Sequence, residues 1–195
     1  MFNYCPQCAS RNIKFDQCKV FRCPDCGFVY YHNTAAATGC IIAVPDSAAN
    51  SADTRLLFLV RGKEPAAGKL DLPGGFVDPG EGVLEGLYRE LTEEIGWAPA
   101  LTEGKPAPLQ LEKIFTLFAS FSNVYPYKNV SYNTCDMYFY LYAPLLRTED
   151  LCLEKKEIAG IRLLKPEEIN YDDFAFDSTR KAVRVFVNLL EGKNG

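Results

Sequence analysis

The sequence predicts an α/β fold: an α/β/α sandwich built on a mixed sheet and preceded by a small metal-binding ribbon. Two observations carry this prediction. Residues 1–33 contain two Cys-x-x-Cys pairs and few aliphatic side chains, so they could not form a core alone. From Thr34 onward, strand-like apolar segments alternate with two amphipathic helical segments, in an order unlike that of a doubly wound sheet. We therefore predict a ribbon over 1–33 and a main domain over 34–195.

The strands and helices of the main domain follow from apolar periodicity. Residues 81–97 predict a helix that ends at Gly96, and the segment from Ser178 predicts a second amphipathic helix. A loop of small residues is expected at 46–53, and another loop at 101–108. The predicted strands cover 37–45, 54–62, 111–122, 133–144 and 158–166.

The composition is that of a soluble globular protein, with 48% apolar residues and a formal net charge of −4. The negative charge disfavours a nucleic-acid-binding role. The sequence shows no membrane-spanning run and no signal peptide, so we expect a cytoplasmic protein with no membrane partner. In that compartment the eight cysteines are not expected to form disulfides. The four outside the Cys-x-x-Cys pairs, Cys18, Cys40, Cys135 and Cys152, are expected to be small core residues.

The two cysteine pairs predict a structural zinc site. Cys5, Cys8, Cys23 and Cys26 would supply four thiolates to Zn²⁺, and the ion would stabilise a segment that lacks a core. The second pair is followed by Gly27, but the first is followed by Ala9, so the first turn is expected to be less ideal. Redox chemistry and chance are the alternative explanations.

Glu90, Glu93 and Glu94 share one face of the predicted helix. Like charges at this spacing repel one another, and a bound divalent cation would remove the conflict. Carboxylate oxygens on a rigid helix suit Mg²⁺ or Mn²⁺. A solvated acidic face is the alternative for the glutamates alone.

The residues around these glutamates match a longer pattern, G-x5-E-x7-R-E-U-x-E-E-x-G-U, in which U is apolar. It is filled by Gly75, Glu81, Arg89, Glu90, Leu91, Glu93, Glu94, Gly96 and Trp97. In this pattern, and in the preceding Leu72-Pro73-Gly74, the chain resembles the Nudix hydrolases. The resemblance implies a Nudix-type α/β/α fold and metal-dependent hydrolysis of a nucleoside diphosphate linked to another group.

The resemblance also implies roles for individual residues. Glu90 and Glu94 would be the main metal ligands, and Glu93 would be a further ligand or a base. A backbone carbonyl near Gly74 would complete the site. Arg89 would orient the glutamates, with Glu81 as its expected partner. A late carboxylate is also expected, with Glu157 the first candidate and Glu154 the second.

A zinc ribbon before such a domain resembles the NADH and FAD pyrophosphatases of the family. The Ser-Gln-Pro-Trp/Phe signature of the NADH enzymes is absent, so ADP-ribose leads NADH and FAD as the expected substrate class. Arg61 is a candidate for phosphate contact. Tyr125 and Tyr127, expected in a loop, are candidates for stacking on a base, whereas Tyr138 and Tyr140 are expected to pack within a strand.

Two further functions stay open: a nucleotide-binding regulator on the same fold, and removal of nucleotide caps from RNA. An intact motif disfavours the first and the acidic charge disfavours the second. A small-molecule nucleotide is therefore the expected partner. A homodimer is the expected assembly, since two-fold dimers are the commonest soluble oligomers.

Overall fold

The structure is a computed structural model that describes residues 2–47, 50–97, 99 and 107–192; the side chains of 46, 47 and 50–53 are outside this description. The chain divides into two compact units, Met1–Thr34 and Ala35–Gly195.

The first unit is a three-stranded antiparallel sheet. Its strands are β1 (Lys14–Phe15), β2 (Val20–Arg22) and β3 (Val29–Tyr31), in the order β1-β2-β3. Phe21 is buried, and its ring lies 4.3 Å from that of Phe15. The rings of Phe2 and Tyr30 also contact Phe21. An apolar core of this size is small, so a further source of stability is needed.

The second unit is built on a mixed sheet. Its strands are β4 (Ala35–Ser47), β5 (Asn50–Arg61), β6 (Leu70–Asp71), β7 (Thr116–Tyr127), β8 (Val130–Tyr142) and β9 (Ile158–Leu164). The order is β6-β5-β4-β8-β7, and β9 also pairs with β5. Only β4 and β8 pair in parallel among the described strands, from Ala35↔Thr134 to Ala43↔Tyr142.

Helices cover both faces of this sheet and make the predicted three layers. Helix α1 spans Val83–Ile95, a short α2 spans Pro108–Leu111, and α3 spans Asp177–Leu190. Single 3₁₀ turns lie at Thr148–Asp150, Pro166–Glu168 and Tyr171–Asp173. The predicted α/β/α sandwich is confirmed.

Alternation along the strands separates two cores. Even-numbered β4 residues such as Cys40 and Ile42 face α1, where Leu87, Leu91 and Ile95 are fully buried. Odd-numbered residues such as Ile41 and Ala43 face α3. On α3 the apolar periodicity predicts a buried face of Ala182, Val183, Phe186, Val187 and Leu190. The first four are buried, Leu190 is partly buried, and Ser178 and Thr179 in the first turn are buried as well.

Three predictions about strands and cysteines were wrong. The loop expected at 46–53 is shorter, because β4 runs to Ser47 and β5 starts at Asn50; residues 48 and 49 lie outside the described residues. The strand expected at 111–122 is shifted: residues 108–111 are helical, and β7 begins at Thr116 and continues to Tyr127. Of the four cysteines expected in the core, only Cys40 is buried.

Of the loop expected at 101–108, residues 101–106 lie outside the described residues. Within the described part of the chain, no helix has both the length and the apolar character needed to cross a membrane.

Candidate active site

The loop before α1 hydrogen-bonds to the first part of β4, before the residues that pair with β5. The amide of Thr38 donates to the Gly75 carbonyl at 2.9 Å, and the amide of Cys40 donates to the Pro73 carbonyl at 2.9 Å. Gly74 lies between these two bonds with φ 145°, and a Cβ there would come within 2.2 Å of the Thr38 carbonyl oxygen. The Gly74 carbonyl accepts no hydrogen bond from the described residues. The loop therefore presents a free carbonyl at the N-terminal half of β4.

Glu94 lies directly across from this loop. Its Oε2 accepts the Gly74 amide at 2.8 Å, and it has no cationic partner among the described residues. Burial raises the pKa of Glu94 well above its usual range; the Gly74 amide lowers it, and the nearby carboxylates of Glu90, Asp71 and Glu157 raise it further. Among the described residues, Glu94 is therefore surrounded by carboxylates and is paired with no cationic side chain.

Glu90 stands one turn earlier on α1, beside Gly75. Arg89 Nη1 donates to Glu90 Oε1 at 2.9 Å, and a Cβ on Gly75 would lie 2.5 Å from that same oxygen. Burial raises the pKa of Glu90, although the Arg89 guanidinium acts in the opposite direction. The glycine therefore leaves the room that the Glu90 carboxylate occupies.

Arg89 holds several of the remaining carboxylates. Its Nε donates to Glu81 Oε1 at 2.9 Å and its Nη1 to Glu93 Oε2 at 3.1 Å. These carboxylates raise the pKa of Arg89 above its usual value, with Glu81 the largest contribution, so the guanidinium stays charged. Glu93 is 59% exposed and is not part of the cleft wall. Glu85 has a structural role, because its Oε2 accepts a hydrogen bond from the Gly82 amide and so caps the start of α1.

A cleft of about 260 Å³ opens beside Glu90 and Glu94. Glu157 lines it and forms an ion pair with Lys63, which lines it too. Glu154 does not line the cleft; its Oε1 accepts the Lys156 amide. Of the two late carboxylates considered from the sequence, the structure brings Glu157 to the glutamates of α1.

Arg61 lies on the cleft wall in a fixed position. Its Nη1 donates to Asp71 Oδ2 and its Nε to the Pro65 carbonyl, each at 2.8 Å, and its Cζ lies 5.0 Å from the centre of the Phe176 ring. Its Nη2 is buried and has no hydrogen-bond partner among the described residues. The Nη2 edge of the guanidinium is therefore left free to donate to an anion.

Of the two tyrosines considered for stacking on a base, the structure places only one in the cleft. Tyr125 lines the cleft, with its ring 5.5 Å from Phe76 and 5.4 Å from Phe176. Tyr127 does not line it, and its ring is instead beside Lys128. Both lie on β7 rather than in the predicted loop. Tyr138 is buried between the sheet and α3, as expected for a packing residue, although its edge reaches the cleft.

Several cleft residues were missed by sequence reasoning: Thr38, Lys63, Asp71, Phe76, Thr134, Asp136, Phe176 and Thr179. Asp136 offered a signal, because it is a charge within an otherwise aromatic and apolar strand. The others come from separate elements that only the sheet topology brings together.

The acidic residues fit a divalent cation. Two partly buried carboxylates, Glu90 and Glu94, and the free carbonyl of Gly74 are all hard oxygen donors, as Mg²⁺ and Mn²⁺ prefer. A third carboxylate, Glu157, shares the same cleft. A cation there would offset the charge repulsion that raises the pKa of Glu94.

In the first unit, the cysteine cluster fits zinc. The Sγ atoms of Cys5, Cys8, Cys23 and Cys26 lie within 4.8 Å of one another, with Cys5–Cys26 at 3.6 Å and Cys8–Cys23 at 3.7 Å. Four thiolates about 2.3 Å from a tetrahedral zinc would be about 3.8 Å apart.

The two cysteine turns have the same backbone bonds. Cys5 N–H donates to Ser10 O and Cys23 N–H donates to Phe28 O, each at 2.8 Å. Gly27 takes φ 76° in the second turn and Ala9 takes φ 56° in the first. Ala9 therefore adopts a backbone conformation that glycine adopts without strain.

Comparison with known proteins agrees with this architecture. A crystal structure of a NUDIX hydrolase from Nitrosomonas europaea superposes with a TM-score of 0.61 at 21% identity, covering 98% of this chain and 92% of that one. The NUDIX domain of Shewanella oneidensis NrtR, determined with ADP ribose, superposes with a TM-score of 0.58 at 12% identity, covering 82% and 90%. At these identities the likeness shows the fold alone.

An ADP-ribose pyrophosphatase from Methanocaldococcus jannaschii is 37% identical over 71 residues, which is 36% of this chain and 37% of that protein. The alignment thus spans little more than a third of either chain. The family model described as NUDIX domain matches residues 35–186, most of the chain. With its fold and its acidic helix, this protein belongs to the NUDIX domain family.

Proposed function

We propose that the protein hydrolyses the pyrophosphate bond of a nucleoside diphosphate linked to another group, and releases a nucleoside monophosphate. The observation that carries the proposal is a cleft lined by Glu90, Glu94 and Glu157, in which no cationic side chain among the described residues pairs with Glu94. ADP-ribose leads NADH and FAD as substrate. The name of the Methanocaldococcus relative supports that order.

Glu90, Glu94 and the Gly74 carbonyl would hold Mg²⁺ or Mn²⁺. A divalent ion at such a site supplies neutralisation of phosphate oxygens and lowers the pKa of a water that attacks phosphorus. Arg89 contributes by fixing the Glu90 carboxylate through a 2.9 Å hydrogen bond. Glu93 faces solvent and Arg89, so we assign it a positioning role.

Glu157 is the proposed general base. It lines the cleft on the side of β9 and forms an ion pair with Lys63, and its carboxylate is a group that can accept a proton from water. On the same wall, Arg61 Nη2 would donate to a phosphate oxygen, because its other nitrogens are already engaged. Cys5, Cys8, Cys23 and Cys26 would hold a structural Zn²⁺ with no open position.

The test is hydrolysis of ADP-ribose, NADH, FAD and 8-oxo-dGTP with Mg²⁺ or Mn²⁺, with products resolved by chromatography. We expect release of AMP from one of the first three and a loss of about 10²- to 10³-fold in Glu94→Gln, as for removal of a principal electrostatic group. Glu167→Gln is the matched control, since Glu167 is exposed and outside the cleft. Tight binding without turnover would instead favour a regulator, and release of capped nucleotides from RNA would favour cap removal.

A further inference from the structure

A buried carboxylate lies in the cleft apart from the acidic helix. Asp136, on β8, is only 7% exposed. Its Oδ2 accepts the Ser178 hydroxyl at 2.6 Å and the Tyr138 hydroxyl at 3.4 Å. Its Oδ1 has no partner among the described residues, and no lysine or arginine there pairs with it. A buried carboxylate can accept several hydrogen bonds, so half of this group is unused.

The carboxylate of Asp136 lies beside the N-terminus of α3. Ser178 is in the first turn of α3, so the carboxylate lies at the positive end of that helix. This arrangement leaves Oδ1 available to a ligand.

A second unused group is beside it. Thr134 is two residues earlier on β8 and therefore points to the same face of the strand. It is 2% exposed, and its hydroxyl has no partner among the described residues. An unpaired buried hydroxyl is costly, and native structures rarely keep one without a purpose. Asp136 and Thr134 thus offer an acceptor and a donor next to each other.

A row of aromatic rings borders these polar groups. The rings of Phe76, Tyr125 and Phe176 lie on the cleft wall with neighbouring centres 5.5 Å and 5.4 Å apart, and their neighbouring planes meet at 89° and 46°. A planar heterocycle would therefore stack on the face of one ring, with the next ring packed against its edge. The Phe176 end of the row is beside Arg61, the proposed phosphate contact, so a base and its phosphate could be held by one wall.

From these observations we infer that the cleft selects adenine: Asp136 Oδ1 accepts a hydrogen bond from the exocyclic N6 amine, and the Thr134 hydroxyl donates a hydrogen bond to a ring nitrogen. Adenine presents a donor next to an acceptor, which matches the pair of unused groups. The inference rests on the proposed function, because ADP-ribose, NADH and FAD all contain adenosine. It identifies the adenosine half as the part of the substrate that the protein recognises.

The test compares the binding of adenosine and of N6,N6-dimethyladenosine to the full chain without divalent metal. Binding is measured by NMR titration at millimolar ligand concentrations. Dimethylation removes the N–H donor and keeps the ring. For the native chain we expect about tenfold weaker binding of the dimethyl compound, the effect of losing one hydrogen bond to a charged group. Asp136→Asn should show no such preference. Asp173→Asn, which removes an exposed carboxylate outside the cleft, should keep it.

Equal binding of the two compounds by the native chain would overturn the inference, and this comparison needs no variant to fold. A preference retained by Asp136→Asn, undetectable adenosine binding, or tighter binding of riboflavin or guanosine would overturn it as well. The measurement requires no hydrolysis. A chain that prefers adenosine but cleaves none of the candidate substrates would therefore refute the proposed function and leave adenine recognition standing.

Discussion

We expect the buried carboxylate of Glu94 to destabilise the metal-free protein, because burial and nearby carboxylates disfavour its charged form. Its carboxylate is held between the Gly74 amide and three other acidic groups. Replacing it with glutamine keeps the shape, removes the charge, and should raise the melting temperature in EDTA at pH 7. Glu93→Gln is the control on the same helix: Glu93 is 59% exposed and pairs with Arg89, so this change should not raise stability. A lower melting temperature for Glu94→Gln would contradict the site as described.

The same residue predicts a pH dependence. Burial raises the folded-state pKa of Glu94 above its unfolded value, so the folded protein binds this proton more readily. Its unfavourable contribution is fully present above the folded pKa and disappears as the pH falls toward the unfolded pKa. The stability advantage of Glu94→Gln should therefore shrink between pH 7 and pH 5 in metal-free buffer. An advantage independent of pH, measured by thermal or urea unfolding, would exclude this cause.

At the residue level, the sequence predicts the groups that sit on one helix. Glu90, Glu93 and Glu94 are neighbours on α1 because of helical spacing, and in the structure Glu90 and Glu94 line the cleft whereas Glu93 faces solvent. Asp71 and Asp136 could not be predicted as neighbours of the site, because strand pairing between distant segments places them there. The solvent exposure of Glu93 could not be predicted either, because it depends on how the helix packs against the sheet.

Among the elements, the loop before α1 is the least tolerant of change. Gly74→Ala would place a Cβ 2.2 Å from the Thr38 carbonyl oxygen, so the loop would have to leave β4. We expect a loss of about 3 kcal/mol or more, together with loss of hydrolysis. Gly80→Ala is the matched control: φ is also positive, at 91°, but a Cβ there meets nothing within 4 Å. It should cost only about 1 kcal/mol in urea unfolding; equal effects of the two changes would contradict the predicted clash.

The cysteine cluster gives a second prediction at this scale. Cys23→Ser should lower the zinc content of the purified protein from about one ion per chain, because the tetrahedral set needs four thiolates. Cys18→Ser is the control within the same unit, since Cys18 is exposed and outside the cluster. Elemental analysis measures both. Unchanged zinc in Cys23→Ser would contradict the assignment of the cluster.

The boundaries of helices and strands are harder to predict from sequence patterns than the elements themselves. The segment 111–122 predicts one strand because large apolar residues recur along it, although Glu112 and Lys113 interrupt the pattern. In the structure, Pro108 starts a helical turn, residues 108–111 are α2, and β7 begins only at Thr116. Leu111 is buried against the α1 side of the core. Burial alone makes both a strand and a short helix apolar, so periodicity could not separate them.

For the whole molecule, the two units should respond separately to metal removal. Both apolar cores, on the α1 side and the α3 side, consist of residues of the second unit. We expect a zinc chelator to unfold the first unit and to leave the main calorimetric transition within about 4 °C, a shift of about 1 kcal/mol or less. The Cys18→Ser protein should behave as the native chain does. Collapse of the main transition would show that the second unit depends on the ribbon.

The parallel pairing of β4 with β8 also bears on the order in which the chain folds during synthesis. Ala35 aligns with Thr134 and Ala43 with Tyr142, so the centre of the sheet joins segments about a hundred residues apart. Until β8 has left the ribosome, β4 can pair with β5 only along one edge and its other edge has no strand partner, whereas all four cysteines of the ribbon have already emerged. Zinc loading should thus precede closure of the sheet. Protease resistance of the second unit in stalled nascent chains should appear only after residue 142 is exposed, and resistance at shorter lengths would contradict this order.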